Sequence, residues 1–138
     1  MRWRVGNKYK NKKIIVDGVE FASHREAARY RELVLLQRAG KITDLELQKK
    51  YELIPAQYEE LPTGEYYKRG EKRGQPKTER VCVELAVNYV ADFVYKKDGA
   101  TVVEDSKGCR DTASAGYKVF VIKRKLMLHK YGLKIQEV

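Results

Sequence analysis

The side chains of this 138-residue chain that are best suited to chemistry are two acids and a lysine, Asp92, Asp105 and Lys107. They lie in or next to residues 88–95 and 100–105, two apolar runs joined by a Lys-Lys-Asp-Gly turn, and this pattern predicts a β-hairpin. Because strand side chains alternate between faces, Asp105 and Lys107 project to one face. The partner strand can bring Asp92 alongside Asp105.

Two carboxylates and an ammonium on one face suit a hard divalent cation. Mg²⁺ takes oxygen ligands and shares its shell with water and phosphate, and Lys107 would lie close to the attacking water. An acid followed two residues later by a lysine also occurs on solvated strand faces, where it does no chemistry. We favour the catalytic interpretation because charges beside apolar runs are costly to bury unless they are paired or bound to a metal. The predicted chemistry is phosphodiester cleavage.

The charge balance of the chain predicts a polyanionic partner. Lys and Arg together number 29 against 19 Asp and Glu, a net charge of +10, which favours nucleic acid. An anionic membrane surface is the competing partner, but the sequence has no apolar run of spanning length, no signal peptide, and no helix that combines a strongly apolar face with aromatic anchors. The two cysteines form neither a metal-type pair nor a disulfide framework, so a reducing cytoplasm is expected.

Basic residues concentrate in segments that could contact phosphates. Residues 1–13 form either a frayed, solvated terminus or a basic arm with aromatic side chains that can stack on bases. Residues 58–80 have no helical or strand period and are expected to be a loop or a long hairpin tip, either solvated or clamping the nucleic-acid backbone. The candidate nucleic-acid contacts, two of them on the second helix, are Arg2, Arg4, Lys68, Arg69, Lys72, Arg73, Lys118 and Lys123.

Two helices are predicted to flank the strands. The first opens with a capping box from Ser23 to Glu26 and ends near Gly40. The second starts at Thr112 or Ser114 and runs to about Lys130. The apolar stripes expected to face the core are Ala28, Leu35, Leu36 and Ala39 on the first helix, and Val119, Ile122 and Leu126, with Phe120 and Met127 beside them, on the second.

The strands complete a mixed α/β (α+β) fold. Residues 81–95 alternate, with the odd-numbered side chains expected in the core and a bend or bulge expected along so long a strand. The predicted order is a small hairpin, a helix, three strands, a helix and a strand, which favours a mixed sheet with helices on its faces. Residues 14–138 are expected to form one domain that follows the basic arm 1–13.

The acidic pattern resembles a known nuclease signature. Asp92 followed by Asp105-Ser106-Lys107 is similar to the PD-(D/E)XK motif, and the surrounding hairpin is similar to that of phage endonuclease I-type Holliday-junction resolvases. From about Ile14 to Val138, the chain resembles a small phage-associated family placed in that superfamily. The motif's usual proline is Ala91 here, and that proline shapes the backbone without ligating a metal.

This resemblance implies a restriction-endonuclease-like αβββαβ core and a metal-dependent endonuclease. Asp92 and Asp105 would hold Mg²⁺, or Mn²⁺ in its place, and Lys107 would orient water or stabilise phosphoryl charge. Glu26 matches an acid that joins the metal site in the superfamily, so its capping role and a metal role both stay open. The resemblance further implies a homodimer that acts on branched or junction DNA, in phage recombination or replication inside a bacterial host.

Three alternatives remain beside the junction-cleaving hypothesis. A structure-nonspecific or a sequence-specific nuclease would use the same residues. A DNA-binding protein without catalysis could retain the same fold.

Overall fold

Residues 13–106 and 111–138 are described in the computed structural model, and they form two helices and eight strands. In chain order, the elements are β1 (Ile14–Val16), β2 (Val19–Phe21), α1 (His24–Arg38), β3 (Thr43–Ile54), β4 (Gln57–Tyr66), β5 (Pro76–Glu84), β6 (Val87–Lys97), β7 (Ala100–Asp105), α2 (Ala115–Tyr131) and β8 (Ile135–Glu137). The fold is mixed α+β with a sheet-rich core, so the predicted fold class is confirmed at this level.

The chain divides into two compact units. The first contains the described residues up to Lys50 together with Val90–Val138, and the second is Tyr51–Tyr89. The first unit contains both helices, and the second contains the β4–β5 hairpin.

The main sheet has four strands in the order β3-β6-β7-β8. β6 and β7 are antiparallel, with Phe93 opposite Glu104, and β7 and β8 are parallel, with Asp105 opposite Glu137. The β6–β7 connection is the predicted Asp98-Gly99 turn, and the positive φ angles of both residues (51° and 77°) match the turn type that this dipeptide favours. The core of the first unit therefore depends on a hairpin whose turn is locally encoded.

Helix α1 begins and ends where the sequence predicts, but it buries a different face. The Ser23 hydroxyl accepts a hydrogen bond from the Glu26 backbone N–H at 3.2 Å, and Ala39 is the C-cap. Ala27 and Leu33 are buried, whereas Leu35 and Leu36 are 63% and 37% exposed, so the predicted stripe is wrong. The side of the helix that faces the core is determined by its partners in three dimensions, which include an arginine-carboxylate pair described below.

Helix α2 follows the same pattern. Ser114, one of the two predicted caps, accepts a hydrogen bond from the Tyr117 N–H at 3.1 Å, and Gly132 ends the helix with a φ of 67°. Phe120 and Met127 are buried, but Val119 and Ile122 are 51% and 59% exposed. The predicted stripe is therefore wrong for Val119 and Ile122, because the larger side chains of Phe120 and Met127 occupy the buried side of the helix.

The alternating segment 81–95 is interrupted, because β5 ends at Glu84 and β6 begins at Val87. In β6 the odd-numbered residues from Tyr89 to Tyr95 are buried as predicted, among them Phe93 at 1% exposure, whereas Val87 at the start of the strand is 36% exposed. Upstream of β6 the prediction is wrong, since Val83 in β5 and Leu85 in the break are 42% and 83% exposed. The expected bend therefore separates a core strand from an exposed one.

Residues 58–80 are mostly the two strands of a hairpin, and only a short tip connects them. β4 and β5 pair antiparallel, with Gln57 opposite Glu84, and every residue of β4 is exposed. The tip is organised by its own backbone, since the Tyr67 N–H donates to the Gln75 carbonyl at 3.0 Å and the Gly74 N–H donates to the Tyr67 carbonyl at 2.9 Å. Of the two alternatives that the sequence left open, the irregular loop is wrong, and the segment is a hairpin as the other alternative proposed. The sequence missed β4 because no buried face gives it an alternating pattern.

Candidate active site

Asp92 and Asp105 come together at the ends of their strands. In β6 and β7 the pairing of Phe93 with Glu104 makes these two acids the next facing positions. Asp105 is only 6% exposed and Asp92 is half-buried. One carboxylate oxygen of Asp92, Oδ2, accepts a hydrogen bond from the Ser106 backbone N–H at 2.7 Å. The sheet register thus places two acids side by side, the juxtaposition that the sequence left open.

Glu26 joins these two acids electrostatically. Burial raises the pKa of Glu26, the negative charge of Asp92 raises it further, and that of Asp105 adds a smaller increase. A hydrogen bond from the backbone at Ala22 to the carboxylate partly opposes these effects. The pKa of Glu26 ends above its ordinary value, because like charges held close together disfavour ionisation.

Glu26 also has a capping role, but its carboxylate accepts a hydrogen bond from the backbone at Ala22 and not from the N-cap residue Ser23. Its backbone N–H donates to Ser23, as a capping box requires. The hydrogen bond that lowers its pKa comes from the backbone at Ala22, one residue before the N-cap. The same residue therefore closes the helix and contributes a carboxylate to the acidic cluster, which we define as Glu26, Asp92 and Asp105.

The donor chemistry of the acidic cluster suits a hard cation, although it is not a complete ligand cage. Within residues 13–106 and 111–138, no group of three or more His, Cys, Asp or Glu side chains is placed to hold a metal ion. Mg²⁺ does not need such a group, since it is commonly bound by one or two carboxylates with water and substrate phosphate. Asp92 and Asp105 fit that requirement, with Glu26 as a nearby third acid. Lys107 lies outside the described residues.

Gln48 is a residue of the site that the sequence did not indicate. Its Nε2 donates to Oδ1 of Asp92 at 3.2 Å, while Ser106 binds the other oxygen. The φ of Gln48 is 52°, in the left-handed region that non-glycine residues seldom adopt, and strain of this kind concentrates at functional sites. A glutamine within a strand carries no local sign of this conformation, so no sequence signal could have found it.

A buried ionic network lies next to the acidic cluster. The Glu104 carboxylate is 1% exposed and accepts hydrogen bonds from Nε and Nη2 of Arg29 at 2.9 and 2.5 Å, and from Oη of Tyr95 at 2.6 Å. Burial raises the pKa of Glu104, but these donors and the charge of Arg29 outweigh it and hold the pKa below its ordinary value. Burial and the Glu104 carboxylate raise the pKa of Tyr95 to about 12.

The network connects the two elements that carry the acids. Arg29 lies one turn after Glu26 on α1, and Glu104 directly precedes Asp105 on β7. The pair therefore holds the start of α1 against the end of β7. The sequence placed Glu104 on the opposite face of the strand from Asp105, and the contacts of Glu104 with Arg29 and Tyr95 agree with this. The role of Arg29 could not be anticipated, because it depends on a residue 75 positions away in the chain.

β8 contributes another acid beside Asp105. Glu137 faces Asp105 across the parallel pair, and its carboxylate accepts from Oη of Tyr117 at 3.3 Å and lies 3.6 Å from Nη1 of Arg124. The Val138 N–H donates to the Asp105 carbonyl at 3.0 Å. These contacts attach α2 and the last strand to the segment that carries Asp105.

The predicted nucleic-acid contacts separate into several places. Lys118 is exposed and Lys123 half-buried on α2. Four residues are exposed at the tip of the second unit, and there Lys72 lies 5.7 Å from the centre of the Tyr67 ring. These four are Lys68, Arg69, Lys72 and Arg73. Arg2 and Arg4 lie outside the described residues.

Comparison with known proteins identifies a family but no activity. The sequence model of a family described as "Protein of unknown function (DUF1064)" matches residues 6–136. No curated protein matches the chain. No solved structure matches it either. In the part of the chain that the structure describes, no helix is long and apolar enough to cross a membrane.

Proposed function

The chain belongs to the DUF1064 family, whose function is unknown, and from its acidic cluster we propose that it is a metal-dependent DNA endonuclease. The observation that carries this proposal is the register of β6 and β7, which makes Asp92 and Asp105 the next facing positions, with Glu26 close enough for both charges to raise its pKa. The negative charges of Asp92 and Asp105 at the end of the hairpin disfavour the ionised form of Glu26 on α1. A bound divalent cation would relieve this repulsion.

The order of the elements supports the proposal. Without the β1–β2 and β4–β5 hairpins, the chain reads α1, β3, β6, β7, α2, β8, which is the αβββαβ order of restriction-endonuclease-like nucleases. The acids then occupy the places that the PD-(D/E)XK signature uses, on the central hairpin and the first helix. We propose membership of that superfamily on these two grounds.

The residues in and around the acidic cluster would have different roles in cleavage. A divalent cation, Mg²⁺ or Mn²⁺, held by Asp92 and Asp105 would polarise the phosphodiester and lower the pKa of the attacking water. Gln48 and Ser106 orient the Asp92 carboxylate by holding one oxygen each. Lys107 is assigned to the stabilisation of phosphoryl charge from its place in the motif.

DNA is the proposed substrate because of charge. The excess of 29 Lys and Arg over 19 Asp and Glu favours a polyanion. The exposed cationic tip of the hairpin unit offers phosphate contacts without a need for base recognition. By resemblance, we propose branched or junction DNA, a homodimer, and a role in phage recombination or replication in the bacterial cytoplasm.

A DNA-binding protein without catalysis, or one indifferent to DNA structure, is the second candidate. It is favoured by the lack, among residues 13–106 and 111–138, of a three-ligand group placed for a metal. Such a protein would use the same cationic surfaces and leave the acids as a structural feature. It predicts DNA binding that divalent cations do not alter.

One experiment separates the candidates. The protein is incubated with Mg²⁺ or Mn²⁺ and a panel of duplex, flap, single-stranded and four-way DNA, beside Asp92→Asn, Asp105→Asn and the matched control Asp98→Asn. Asp98 is an exposed turn residue of the same hairpin with a φ of 51°, which asparagine tolerates. We expect cleavage by the wild type and the control, and its loss in the two site variants with DNA binding retained. Equal cleavage by all four proteins would remove the acidic cluster from the mechanism.

A further inference from the structure

A separate cavity of about 350 Å³ lies beside the acidic cluster. It is lined by Arg25, Ala28, Arg29, Glu32, Ser106 and Val138, all of which belong to the first unit. None of the three clustered acids lines it. Ser106 connects the two sites, because its backbone N–H binds Asp92 and the same residue lines the cavity.

Arg29 is pre-oriented in this cavity. Buried Glu104 holds Nε and Nη2 of the guanidinium, so the orientation of the group is fixed from behind. The remaining nitrogen, Nη1, contacts Glu32 at 2.8 Å. The Glu32 side chain is 63% exposed and sits three residues away on the same helix, and exposed pairs of this kind are weak. An anion in the cavity can therefore displace Glu32 from Nη1 while Glu104 keeps its two hydrogen bonds.

Two further donors belong to the same cavity. The Ser106 hydroxyl oxygen is buried, and it has no hydrogen-bond partner among the described residues. A buried hydroxyl without a partner is unfavourable and is rare in folded proteins, so a ligand that satisfies it gains affinity. Arg25, one turn before Arg29 on α1, adds a second guanidinium. Two guanidinium groups and a hydroxyl are suited to a tetrahedral oxyanion, and among the described lining residues Glu32 is the one acidic side chain that opposes it.

We propose that the Arg25–Arg29–Ser106 cavity binds a phosphate group. This inference rests on the proposed function for its biological meaning, in which the phosphate is the one that neighbours the scissile phosphodiester of DNA. Glu32 then acts as a substitute for the phosphate in the free protein. Its departure on binding leaves Arg29 shared between the phosphate and Glu104.

The cavity is tested with inorganic phosphate in the absence of divalent cations. Backbone and arginine Nε–H NMR signals are followed during titration with phosphate, and chloride at equal ionic strength is the reference. The variants are Arg25→Gln, Ser106→Ala and Glu32→Gln. The matched control is Arg31→Gln, on the same helix but lining a different depression with Val16 and Arg38.

The variants must change affinity in opposite directions. Arg25→Gln should weaken phosphate binding by about fivefold or more, since a hydrogen bond to a charged group is lost. Ser106→Ala should weaken it by about two- to fivefold, and Glu32→Gln should tighten it by about two- to fivefold because the competing carboxylate is gone. Arg31→Gln should match the wild type. If Arg25→Gln equals Arg31→Gln, or if Glu32→Gln gives no gain, the proposal is wrong.

Two DNA arms identify the source of the phosphate. Short duplexes with hydroxyl ends and with 5′-phosphate ends are bound to the same proteins without metal. A loss in Arg25→Gln and a gain in Glu32→Gln on the hydroxyl-ended duplex support an internal phosphodiester, and the same changes on the phosphorylated duplex alone support a terminal phosphate. Variants indistinguishable from Arg31→Gln on both duplexes and on inorganic phosphate overturn the inference.

The outcome is separable from that of the nuclease proposal. Phosphate binding in the cavity without any DNA cleavage would support the phosphate site and contradict the nuclease proposal. DNA cleavage by the wild type, with phosphate affinity unchanged in the cavity variants, would support the nuclease proposal and contradict the phosphate site.

Discussion

Replacement of Arg29 by methionine tests the buried network that holds α1 against β7. The change keeps most of the aliphatic side chain and removes the two hydrogen bonds that Glu104 receives from the guanidinium. Glu104 is 1% exposed, so the carboxylate cannot recover these bonds from bulk water. Breaking a buried ion pair from one side costs about 3–5 kcal/mol. The Tyr95 hydrogen bond remains and the Arg29 side chain is 27% exposed, so we expect about 3 kcal/mol, the lower end of that range.

The pH dependence has a definite sign. In the wild type the pKa of Glu104 is below its ordinary value, so its ionised form stabilises the fold above the ordinary pKa of a glutamate, and this stability is lost as pH falls through the folded-state pKa. In Arg29→Met burial is no longer offset by the arginine, and the pKa of Glu104 should rise. The difference in unfolding free energy between the two proteins should therefore be largest near neutral pH and shrink in acid.

The assay is urea denaturation followed by circular dichroism at several pH values. Glu32→Gln is the control, since it removes only the exposed partner of the same arginine and should cost less than about 0.5 kcal/mol. Adding Glu104→Gln to Arg29→Met should recover part of the lost stability, because no buried charge remains. A loss below about 1 kcal/mol in Arg29→Met, or no recovery in the double variant, would refute the view that Glu104 is a buried anion dependent on Arg29.

Three more predictions concern function. Glu26→Gln should abolish most cleavage and leave the unfolding free energy at pH 7 unchanged or slightly raised. The reason is that the pKa of Glu26 is raised in the folded protein, so its negative charge destabilises the fold above the ordinary pKa of a glutamate. Lower stability with normal activity would mean that Glu26 is a helix cap only. In an Asp92→Asn background, neutralising the hairpin tip should reduce the slope of log affinity against log salt by about 0.9 per lost phosphate contact, and an unchanged slope would mean that the tip is merely solvated. The tip residues to be replaced are Lys68, Arg69, Lys72 and Arg73. Light scattering should find two protomers on each four-way junction in a cleavage-competent complex, whereas one protomer would contradict the proposed dimer.

Local signals in the sequence were sufficient for the ends of elements and for the central hairpin. Ser23, Ser114 and Gly132 were identified as helix boundaries because capping depends on backbone groups within one turn. Asp98-Gly99 predicted its turn because both residues tolerate a positive φ. The sequence allowed Asp92 to lie alongside Asp105 but left the register open, and the strand pairing decided it.

Only the tertiary structure decided which surfaces meet. The apolar stripe of α1 was assigned to the wrong face, and that of α2 was wrong at Val119 and Ile122, because the rotation of a helix depends on distant partners such as Glu104 for Arg29. The contact of Gln48 with Asp92 joins residues 44 positions apart and needs a backbone conformation that no local pattern encodes. The sequence by itself therefore determined the helix ends, the central turn and the acids to be examined. The electrostatic coupling of Glu26 to these acids, and the cavity next to them, arise from packing between segments far apart in the chain.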